Sequence, residues 1–370
     1  MRKVTTIAIT GASGLVGRRL ATALEARPGV TRIVGLDRRV PQGVNSSRFV
    51  HRPADITSPA IGAALEGVEV VVHLASRFDP MHDEAAMRAV NVDGTRNLIE
   101  AAERAGVKQL VHLSSAAVYG AYADNDLPLT ESSPLRGTPG LPYSEHQRDV
   151  ELWLADRQRE PHHLDVAVLR SALVLGPGVE NVATRLLEGP RVTMVRGHEP
   201  PLQFVHLDDL VSAIMHVIDQ GLQGPYNVSA EGWLAFSDVL KVVGKRAIAL
   251  PEELAYTTAE RLWKLGIGEY PPGLVAHLMH PWVMSPAKLI ATGWQPHVTN
   301  RAAVAETAAE HAGHVAVMGV RTRWSTLGWV GAGFAATSLV GFLLLVRALH
   351  RRYQVRLVRR RGSSDGEAER

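Results

Sequence analysis

Residues 10–17 read TGASGLVG, which spaces three glycines as G-x-x-G-x-x-G between an apolar, β-branched run and a segment of helical periodicity. In a strand–turn–helix of this kind, Gly11 permits the tight turn, Gly14 lets the backbone approach a pyrophosphate, and Gly17 brings the helix close to the strand. The stretch therefore predicts a dinucleotide-binding turn at the start of a βαβ unit.

An acidic residue follows at the end of the second predicted strand. Asp37 is placed there to accept hydrogen bonds from the adenosine ribose of a dinucleotide. Its negative charge opposes a 2′-phosphate and favours NAD, whereas Arg38 and Arg39 beside it leave NADP open. The predicted cofactor is therefore NAD, with NADP as the alternative.

The first 170 residues alternate between β-branched apolar runs and segments of helical periodicity, a pattern typical of an α/β fold with a parallel sheet. The predicted strands are Thr5–Thr10, Arg32–Leu36, Arg48–His51, Val70–Leu74, Gln109–Leu113 and Leu164–Leu169, and the predicted helices are Gly14–Ala26 and Glu84–Ala105. We therefore predict a Rossmann-like, doubly wound parallel sheet over residues 1–170 as an NAD(P)-binding domain.

The alternation loosens after Gly176-Pro177-Gly178, which indicates a second, smaller unit. Its predicted elements are strands at Arg191–Val195 and Tyr226–Val228 and helices around Asp208–Gln220 and Ser237–Lys245. We assign residues 171–312 to a substrate-binding domain and residues 313–370 to a C-terminal apolar helix with its tail.

The composition excludes several classes of protein. Of the 370 residues, 46% are hydrophobic and 21% are charged, which fits a globular chain rather than a disordered one or a multi-span membrane protein. The absence of cysteine rules out disulfides, thiolate-bound zinc, iron–sulfur clusters and a cysteine nucleophile. The N-terminus lacks the apolar core of a secretory signal peptide, so we expect the body of the protein in the cytoplasm.

The net charge of +3 is unevenly placed along the chain. Residues 347–370 contain eight arginines against Asp365, Glu367 and Glu369, which gives +5 and leaves residues 1–346 at −2. Nucleic-acid binding needs a basic face on the folded body, so no nucleic-acid partner is predicted.

Two histidine pairs have the i, i+3 spacing of helical metal ligands, His277 with His280 and His311 with His314. Neither pair has a carboxylate nearby at a matching spacing. We therefore predict no metal site.

Further motifs follow the glycine turn along the chain. They are Asp55-Ile56, His73-Leu74-Ala75-Ser76, Asn91-Val92-Asp93-Gly94-Thr95, Ser114-Ser115-Ala116-Ala117-Val118-Tyr119-Gly120, Phe204-Val205-His206-Leu207-Asp208-Asp209 and Gly293-Trp294-Gln295-Pro296. With these motifs, residues 4–300 resemble an extended short-chain dehydrogenase/reductase, of the NAD-dependent epimerase/dehydratase family. The resemblance implies cofactor contacts from Gly11, Ser13, Gly14, Leu15, Val16, Gly17, Asp37, Arg38, Asp55, Ile56, Leu74, Ala75, Ser76, Asn91, Tyr143 and Gln147.

The resemblance also implies a catalytic tyrosine, a serine that hydrogen-bonds the same substrate oxygen, and a lysine four residues after the tyrosine. Ser115 and Tyr143 match the serine and the tyrosine, but Gln147 stands where the lysine is expected. The charge of a lysine would lower the tyrosine pKa from about 10 towards neutrality. Gln147 can hydrogen-bond a nicotinamide ribose but supplies no charge, and His146 is a weaker source of charge than a lysine.

Two functions therefore stay open. One is an NAD(P)-dependent oxidoreductase or epimerase/dehydratase in which Tyr143 is the acid/base, Ser115 is its partner and the missing lysine impairs turnover. The other is a non-enzymatic NAD(P)-binding sensor or scaffold at the membrane.

The substrate half departs at two positions from the sugar-nucleotide members that it resembles. Leu173 stands where such members commonly carry an asparagine, and Leu202 where they often carry an arginine that pairs with a diphosphate. An apolar residue cannot replace that bidentate charged contact, and Arg185 and Arg196 are more typical of surface charges. The expected substrate is a secondary alcohol of a small molecule, either a sugar nucleotide or an apolar, steroid- or terpenoid-like compound.

The composition of the C-terminal region differs from that of both predicted domains. Residues 324–346 carry no charge over 23 positions, enough for a helix to cross a hydrocarbon core of about 30 Å, and an arginine-rich amphipathic pattern follows. We expect membrane lipid as a partner and a location at the cytoplasmic face of the cell membrane, with a packed or dimerising helix as the alternative. A single crossing conflicts with the positive-inside rule, because the body and the tail both belong in the cytoplasm. A homodimer is an expectation from the family.

Overall fold

The structure is a computed structural model. It describes residues 6–44, 46–78, 82–157, 159, 163–182, 184–185, 191–266 and 270–311, together with the backbone of 314–317 and 320–323. The central sheet contains β1 (Thr6–Thr10), β2 (Arg32–Asp37), β3 (Phe49–Pro53), β4 (Val70–His73), β5 (Gln109–Ser115), β6 (Asp165–Ser171) and β10 (Gly224–Val228).

All neighbouring strands of this sheet are parallel, in the order β10-β6-β5-β4-β1-β2-β3. The strand order reverses between β1 and β4, and a doubly wound sheet binds its ligand outside the carboxyl ends of the strands at such a point. The α/β, Rossmann-like prediction is confirmed, and each strand predicted before residue 170 is present within a residue or two of its bounds.

Helices cover both faces of the sheet. They are α1 (Leu15–Glu25) and α5 (Leu207–Gln220) on one face, and α3 (Thr95–Arg104) and α4 (Pro142–Arg157) on the other. Along β1, Ile7 and Ile9 pack with the first pair of helices, and Ala8 packs with the second. Because both faces are buried, the strands read as continuous apolar runs in the sequence.

The predicted helix Glu84–Ala105 is interrupted. α2 (Glu84–Arg88) passes into a π-helical turn at Ala89–Gly94 before α3 begins. The side chain of Asn91 in this turn makes two hydrogen bonds to the backbone of Arg77. Its Oδ1 accepts from the Arg77 amide at 2.7 Å, and its Nδ2 donates to the Arg77 carbonyl at 2.8 Å. Apolar periodicity alone does not reveal a turn of this kind, which often lies near a functional site.

Short elements follow β6. β7 (Leu173–Leu175) pairs with β9 (Phe204–His206), and β8 (Val192–Val195) pairs with β11 (Ala247–Leu250), both in parallel. The helices are α6 (Phe236–Val243), α7 (Glu252–Lys264), α8 (Leu274–His277), α9 (Ala287–Ile290) and α10 (Asn300–Glu310).

Two elements predicted for the second unit instead extend or cover the main sheet. The strand at Tyr226–Val228 is part of β10, which pairs with β6, and α5 packs on the same face as α1. A short apolar strand carries no sequence signal for its pairing partner, so its place beside β6 could not be predicted. Residues up to His311 form one compact unit, and the predicted border at residue 170 stays a prediction.

The residues from Ala312 onward form a second unit, in which β12 (His314–Val317) and β13 (Val320–Arg323) pair as an antiparallel hairpin. The predicted membrane segment at 324–346 and the arginine-rich tail lie outside the described residues. Among the helices that the structure does describe, none has the length and hydropathy needed to cross a membrane. The lipid, membrane-location and homodimer expectations stay predictions from the sequence.

Candidate active site

A cavity of about 760 Å³ lies at the carboxyl ends of the central strands, where Gly11, Asp37, Leu74, Ser115 and Ser171 contribute to its wall. The predicted site residues that line it are Gly11, Ser13, Gly14, Leu15, Val16, Gly17, Asp37, Arg38, Asp55, Ile56, Leu74, Ala75, Ser76, Ser115 and Tyr143. Asn91 and Gln147 are not part of this wall, and both are buried. The structure thus brings most of the predicted residues to one cavity.

The glycine turn leaves no room for side chains at two of its positions. Gly11 has a φ of +68°, and a Cβ there would lie 2.9 Å from the backbone nitrogen of Ala75. A Cβ on Gly17 would lie 2.5 Å from the carbonyl oxygen of Gly11, which supports its role in bringing helix and strand together. Gly14 is the N-cap of α1 and no side chain caps the helix, so amides of the first turn can meet an anion.

Asp37 is already held by the protein on one side. Its Oδ2 accepts from the amide and the hydroxyl of Ser13 at 3.0 and 2.6 Å, and its Oδ1 accepts from the amide of Arg39 at 3.0 Å. Burial acts to raise the pKa of Asp37, but these hydrogen bonds outweigh it and hold the pKa below its ordinary value. The group is therefore an ionised acceptor, and Oδ1 retains capacity for a further hydrogen bond.

A buried network that the sequence analysis did not assign ties β1 to β4. Thr10 Oγ1 lies 2.7 Å from His73 Nδ1, and His73 Nε2 lies 2.9 Å from Thr95 Oγ1. Because Thr95 donates its own hydroxyl proton to the carbonyl of Asn91 at 2.8 Å, it accepts from His73, which assigns the imidazole proton to Nε2. Burial, with a contribution from His112, lowers the pKa of His73 well below its ordinary value, so the ring is neutral.

Ser115 ends β5, and Tyr143 lies in the first turn of α4. Ser115 accepts a hydrogen bond from the amide of Ala117 at 3.2 Å, and the half-buried Tyr143 lines the same cavity. Burial raises the pKa of the Tyr143 phenol, and interactions with Gln147, Ser76 and Ser115 act against that rise without cancelling it. The phenol is therefore protonated at neutral pH.

Gln147 interacts with a weak acid, the phenol of Tyr143, and with a weak base, the imidazole of His112. His112 lies on β5 and stacks on His73, with ring centroids 5.2 Å apart. Burial lowers the pKa of His112 to about 4, although Gln147 acts to raise it. Among the described residues, Gln147 Oε1 and both ring nitrogens of His112 have no hydrogen-bond partner of good geometry, so the pair is neutral and incompletely satisfied.

His146, three residues after Tyr143, does not replace the missing charge. Burial and the nearby Arg88 lower its pKa below the ordinary value. The carboxylates of Asp149 and Asp93 act in the opposite direction but do not reverse this. His146 is therefore neutral at physiological pH.

A buried ion pair holds α4 against the sheet. Arg170 Nη2 lies 2.7 Å from Glu151 Oε2, and the two side chains are only 5% and 3% exposed. Ser114 donates to Glu151 at 2.5 Å, Arg170 donates to the Tyr119 hydroxyl at 2.8 Å, and Tyr119 donates to Asn227 at 2.7 Å. This network, which the sequence analysis missed, fixes the helix that carries the tyrosine relative to the strand that carries the serine.

The cavity continues past Ser115 and Tyr143 into a wall formed after β6. This wall, which we call the substrate end, includes Leu173, Val174, Val192, Thr193, Leu202, Phe204, Phe236, Val239, Leu240, Leu274, His277, Leu278 and Trp282. Leu173 and Leu202 pack in one hydrophobic cluster with Phe204 and Val239. The expectation of an apolar pocket around the two leucines agrees with this wall.

Residues 7–229 match the model of the NAD dependent epimerase/dehydratase family. This chain belongs to that family. The match confirms the family resemblance, and NAD in the family's name agrees with the predicted cofactor.

Individual relatives of this family extend the comparison. An uncharacterized protein of Mycobacterium tuberculosis is 28% identical over 255 residues, covering 66% of this chain and 67% of the relative. A dTDP-glucose 4,6-dehydratase of Streptomyces griseus is 29% identical over 256 residues, covering 64% of this chain and 76% of the relative. Among solved structures, a Thermus thermophilus UDP-glucose 4-epimerase in complex with NAD has a TM-score of 0.65 at 23% identity, covering 84% of this chain and 99% of that chain.

Proposed function

We propose that this chain is an NAD-dependent oxidoreductase of the epimerase/dehydratase type that acts on a secondary alcohol of a small molecule. The observation that carries the proposal is that Ser115, Tyr143, the glycine turn and Asp37 line one cavity. Hydride transfer requires the alcohol carbon, a proton acceptor and the nicotinamide to be held in contact. A single cavity shared by these groups meets that requirement.

The residues around the glycine turn fit NAD. The amides of the turn and of the first turn of α1 would hold the diphosphate, and Asp37 Oδ1 would accept from a ribose hydroxyl. Asp55 and Ile56 line the same part of the cavity and are assigned to the adenine. When bound, NAD supplies the hydride acceptor for the alcohol carbon.

Tyr143 is the proposed acid/base. As the phenolate, it accepts the proton of the substrate hydroxyl, while Ser115 donates a hydrogen bond to the same oxygen. In the reverse direction, the protonated phenol returns that proton to the carbonyl oxygen. The buried amide of Gln147 interacts with the phenol but adds no positive charge to stabilise its ionised form.

Because burial raises the pKa of the Tyr143 phenol, we expect the rate of oxidation to depend on pH. Oxidation needs the phenolate, whose fraction rises about tenfold per pH unit as long as the pH stays below the pKa. The ordinary tyrosine pKa is about 10, and burial raises it at Tyr143. We therefore expect the rate of alcohol oxidation to increase steadily from neutral pH into the alkaline range.

The test is NADH formation by the full chain over a panel of secondary alcohols, with Tyr143→Phe as the variant. Removal of a general acid/base is expected to lower turnover about 10²- to 10⁴-fold, while calorimetry still detects binding of NAD. Tyr256→Phe is the matched control, because Tyr256 lies on α7 outside the cavity wall. Turnover that survives Tyr143→Phe would reject the assignment of the acid/base. NAD binding without turnover across the whole panel would favour a non-enzymatic sensor.

A further inference from the structure

We infer that the substrate is an uncharged, largely apolar secondary alcohol with a fused-ring or isoprenoid skeleton, and not a sugar linked to a nucleotide diphosphate. This inference rests on the proposed function, since it assigns the substrate end of the same cavity. Two observations carry it: the apolar wall, and the absence of positive charge among the described residues of that wall.

The apolar wall comes from several separate elements. Leu173 lies on β7, Leu202 just before β9, Phe236 on α6 and Leu274 on α8, and Trp282 follows α8. All five side chains are buried or half-buried while they face the cavity. A ligand seated here meets side chains that offer dispersion contacts and almost no hydrogen bonds, which suits a hydrocarbon skeleton.

Positive charge is confined to the nucleotide end. The arginines that line the cavity are Arg38 and Arg39 after β2 and Arg77 after β4, beside the glycine turn and Asp37. Of the described residues of the substrate end, none is a lysine or an arginine. Among the described residues that line the cavity after β6, the charged one is Glu180, and a carboxylate supplies no positive charge for a diphosphate.

The two arginines considered from the sequence do not add a cation to the described wall. Arg196 is exposed, and neither Arg196 nor Arg185 belongs to that wall. Among the described residues of the substrate end, a phosphate therefore meets no charged partner of opposite sign.

His277 does not change this balance. It is buried in the wall with the ring of Trp282 edge-on to it, at a centroid distance of 4.8 Å. Burial lowers the pKa of His277 to about 4, although the backbone of Gly273 acts to raise it. The ring is neutral under physiological conditions and offers no charge to a phosphate.

A diphosphate brought to this wall would lose its hydration without gaining an ion pair. Arginine recognises phosphates through paired, charge-assisted hydrogen bonds, which leucine cannot provide. Burial of an unpaired charge is strongly unfavourable, whereas burial of an uncharged hydrocarbon is favourable. The same wall therefore excludes one class of substrate and favours the other.

The test measures binding without turnover. The full chain is saturated with NADH, which prevents oxidation of an added alcohol, and is titrated calorimetrically with dehydroepiandrosterone, a 3β-hydroxysteroid, and separately with UDP-glucose. The variants are Leu202→Arg and Leu173→Asn. The control is Leu265→Arg, because Leu265 is 71% exposed and lies outside the wall. Both cavity variants leave the backbone bonds between Leu202 and Leu234 in place, and thermal unfolding checks that each variant is folded.

We expect the natural chain to bind the steroid and to bind UDP-glucose at least about tenfold more weakly. Leu202→Arg should weaken the steroid at least about tenfold and strengthen UDP-glucose, with Leu173→Asn acting in the same direction and Leu265→Arg unchanged. Equal or tighter binding of UDP-glucose by the natural chain, or no binding of the steroid, would overturn the inference. Failure of NADH itself to bind would reject the proposed function instead, so the two failures are distinguishable.

Discussion

The nucleotide end of the cavity and its substrate end are built in different ways. At the nucleotide end, polar groups are oriented by the protein itself: Asp37 accepts hydrogen bonds from Ser13 and Arg39, and Asp55 accepts from the amide and hydroxyl of Thr57 at 2.9 and 2.8 Å. At the substrate end, most of the wall consists of apolar side chains, which impose shape but few directional bonds.

This difference predicts which positions of the cavity wall tolerate substitution. The nucleotide end depends on backbone geometry, so a side chain at Gly11 or Gly17 would collide with the main chain. The substrate end depends on side chains that come from separate elements. We expect variants at the nucleotide end to affect cofactor affinity and variants at the substrate end to affect substrate choice.

The largest expected effect is a loss of stability when the buried Glu151–Arg170 ion pair is broken. Glu151→Gln leaves the buried Arg170 without its ionic partner, which is expected to lower the free energy of unfolding by about 3–5 kcal/mol. Glu69→Gln is the matched control, because the Glu69–Lys108 pair at 2.9 Å is partly exposed and should contribute about 1 kcal/mol or less. Urea denaturation measures both. Equal small losses would mean that the buried pair does not hold α4 in place.

The next effect is a shift of the pH–rate profile, and it concerns Tyr143, which lines the cavity between its nucleotide end and its substrate end. Gln147→Lys places a positive charge beside the Tyr143 phenol and should lower its pKa, which moves the pH–rate profile for oxidation about one unit or more towards neutrality. Gln220→Lys, at the exposed end of α5, is the control and should leave the profile unchanged. A profile that stays in place in the Gln147 variant would show that the phenol does not limit the rate.

A smaller effect is confined to the nucleotide end. Asp37→Asn removes the negative charge that we propose to face the adenosine ribose, so the preference for NAD over NADP is expected to fall about tenfold, while substrate affinity is retained. Asp208→Asn removes an exposed carboxylate that pairs with Arg19 at 2.6 Å, and it serves as the control. Calorimetric titration with NAD and with NADP measures this preference in each variant. An unchanged ratio would assign the preference to the neighbouring arginines.

The smallest effect is expected when residues outside both ends are removed. A chain that stops after His311 keeps the whole first unit, so its NAD affinity should stay within about twofold of the full chain. The sequence of residues 324–361 predicts that the full chain sediments with membranes and that the shortened chain does not. A full chain that stays in the supernatant without detergent would contradict the membrane prediction.

The sheet and the glycine turn could be predicted from local sequence because each depends on residues that are neighbours in the chain. The strands of the first 170 residues and the turn at residues 10–17 are of this kind. The pairing of β10 with β6 could not be predicted, since it depends on which edge of the sheet is free. The π turn around Asn91 was also missed, because helical periodicity over a long segment does not locate a single turn with a different hydrogen-bond pattern.

Within the site, the residues that we propose to contact the cofactor or the substrate are easier to find from the sequence than the residues that support them. Ser115 and Tyr143 were identified by their motifs, whereas the Glu151–Arg170 pair and the neutral His112 depend on contacts between distant segments. The position of Gln147 was evident from the sequence, but its interaction with His112 was not. The neutrality of His112 follows from its burial, which a single sequence does not report.

A crystal structure of the full chain with NAD bound tests the proposed site most directly. We expect the adenosine ribose within hydrogen-bond distance of Asp37, the diphosphate at the N-terminus of α1, and the nicotinamide beside Tyr143, with the wall around Leu173 and Leu202 left for the substrate. An adenosine seated against those two leucines, or a nicotinamide remote from Tyr143, would contradict it.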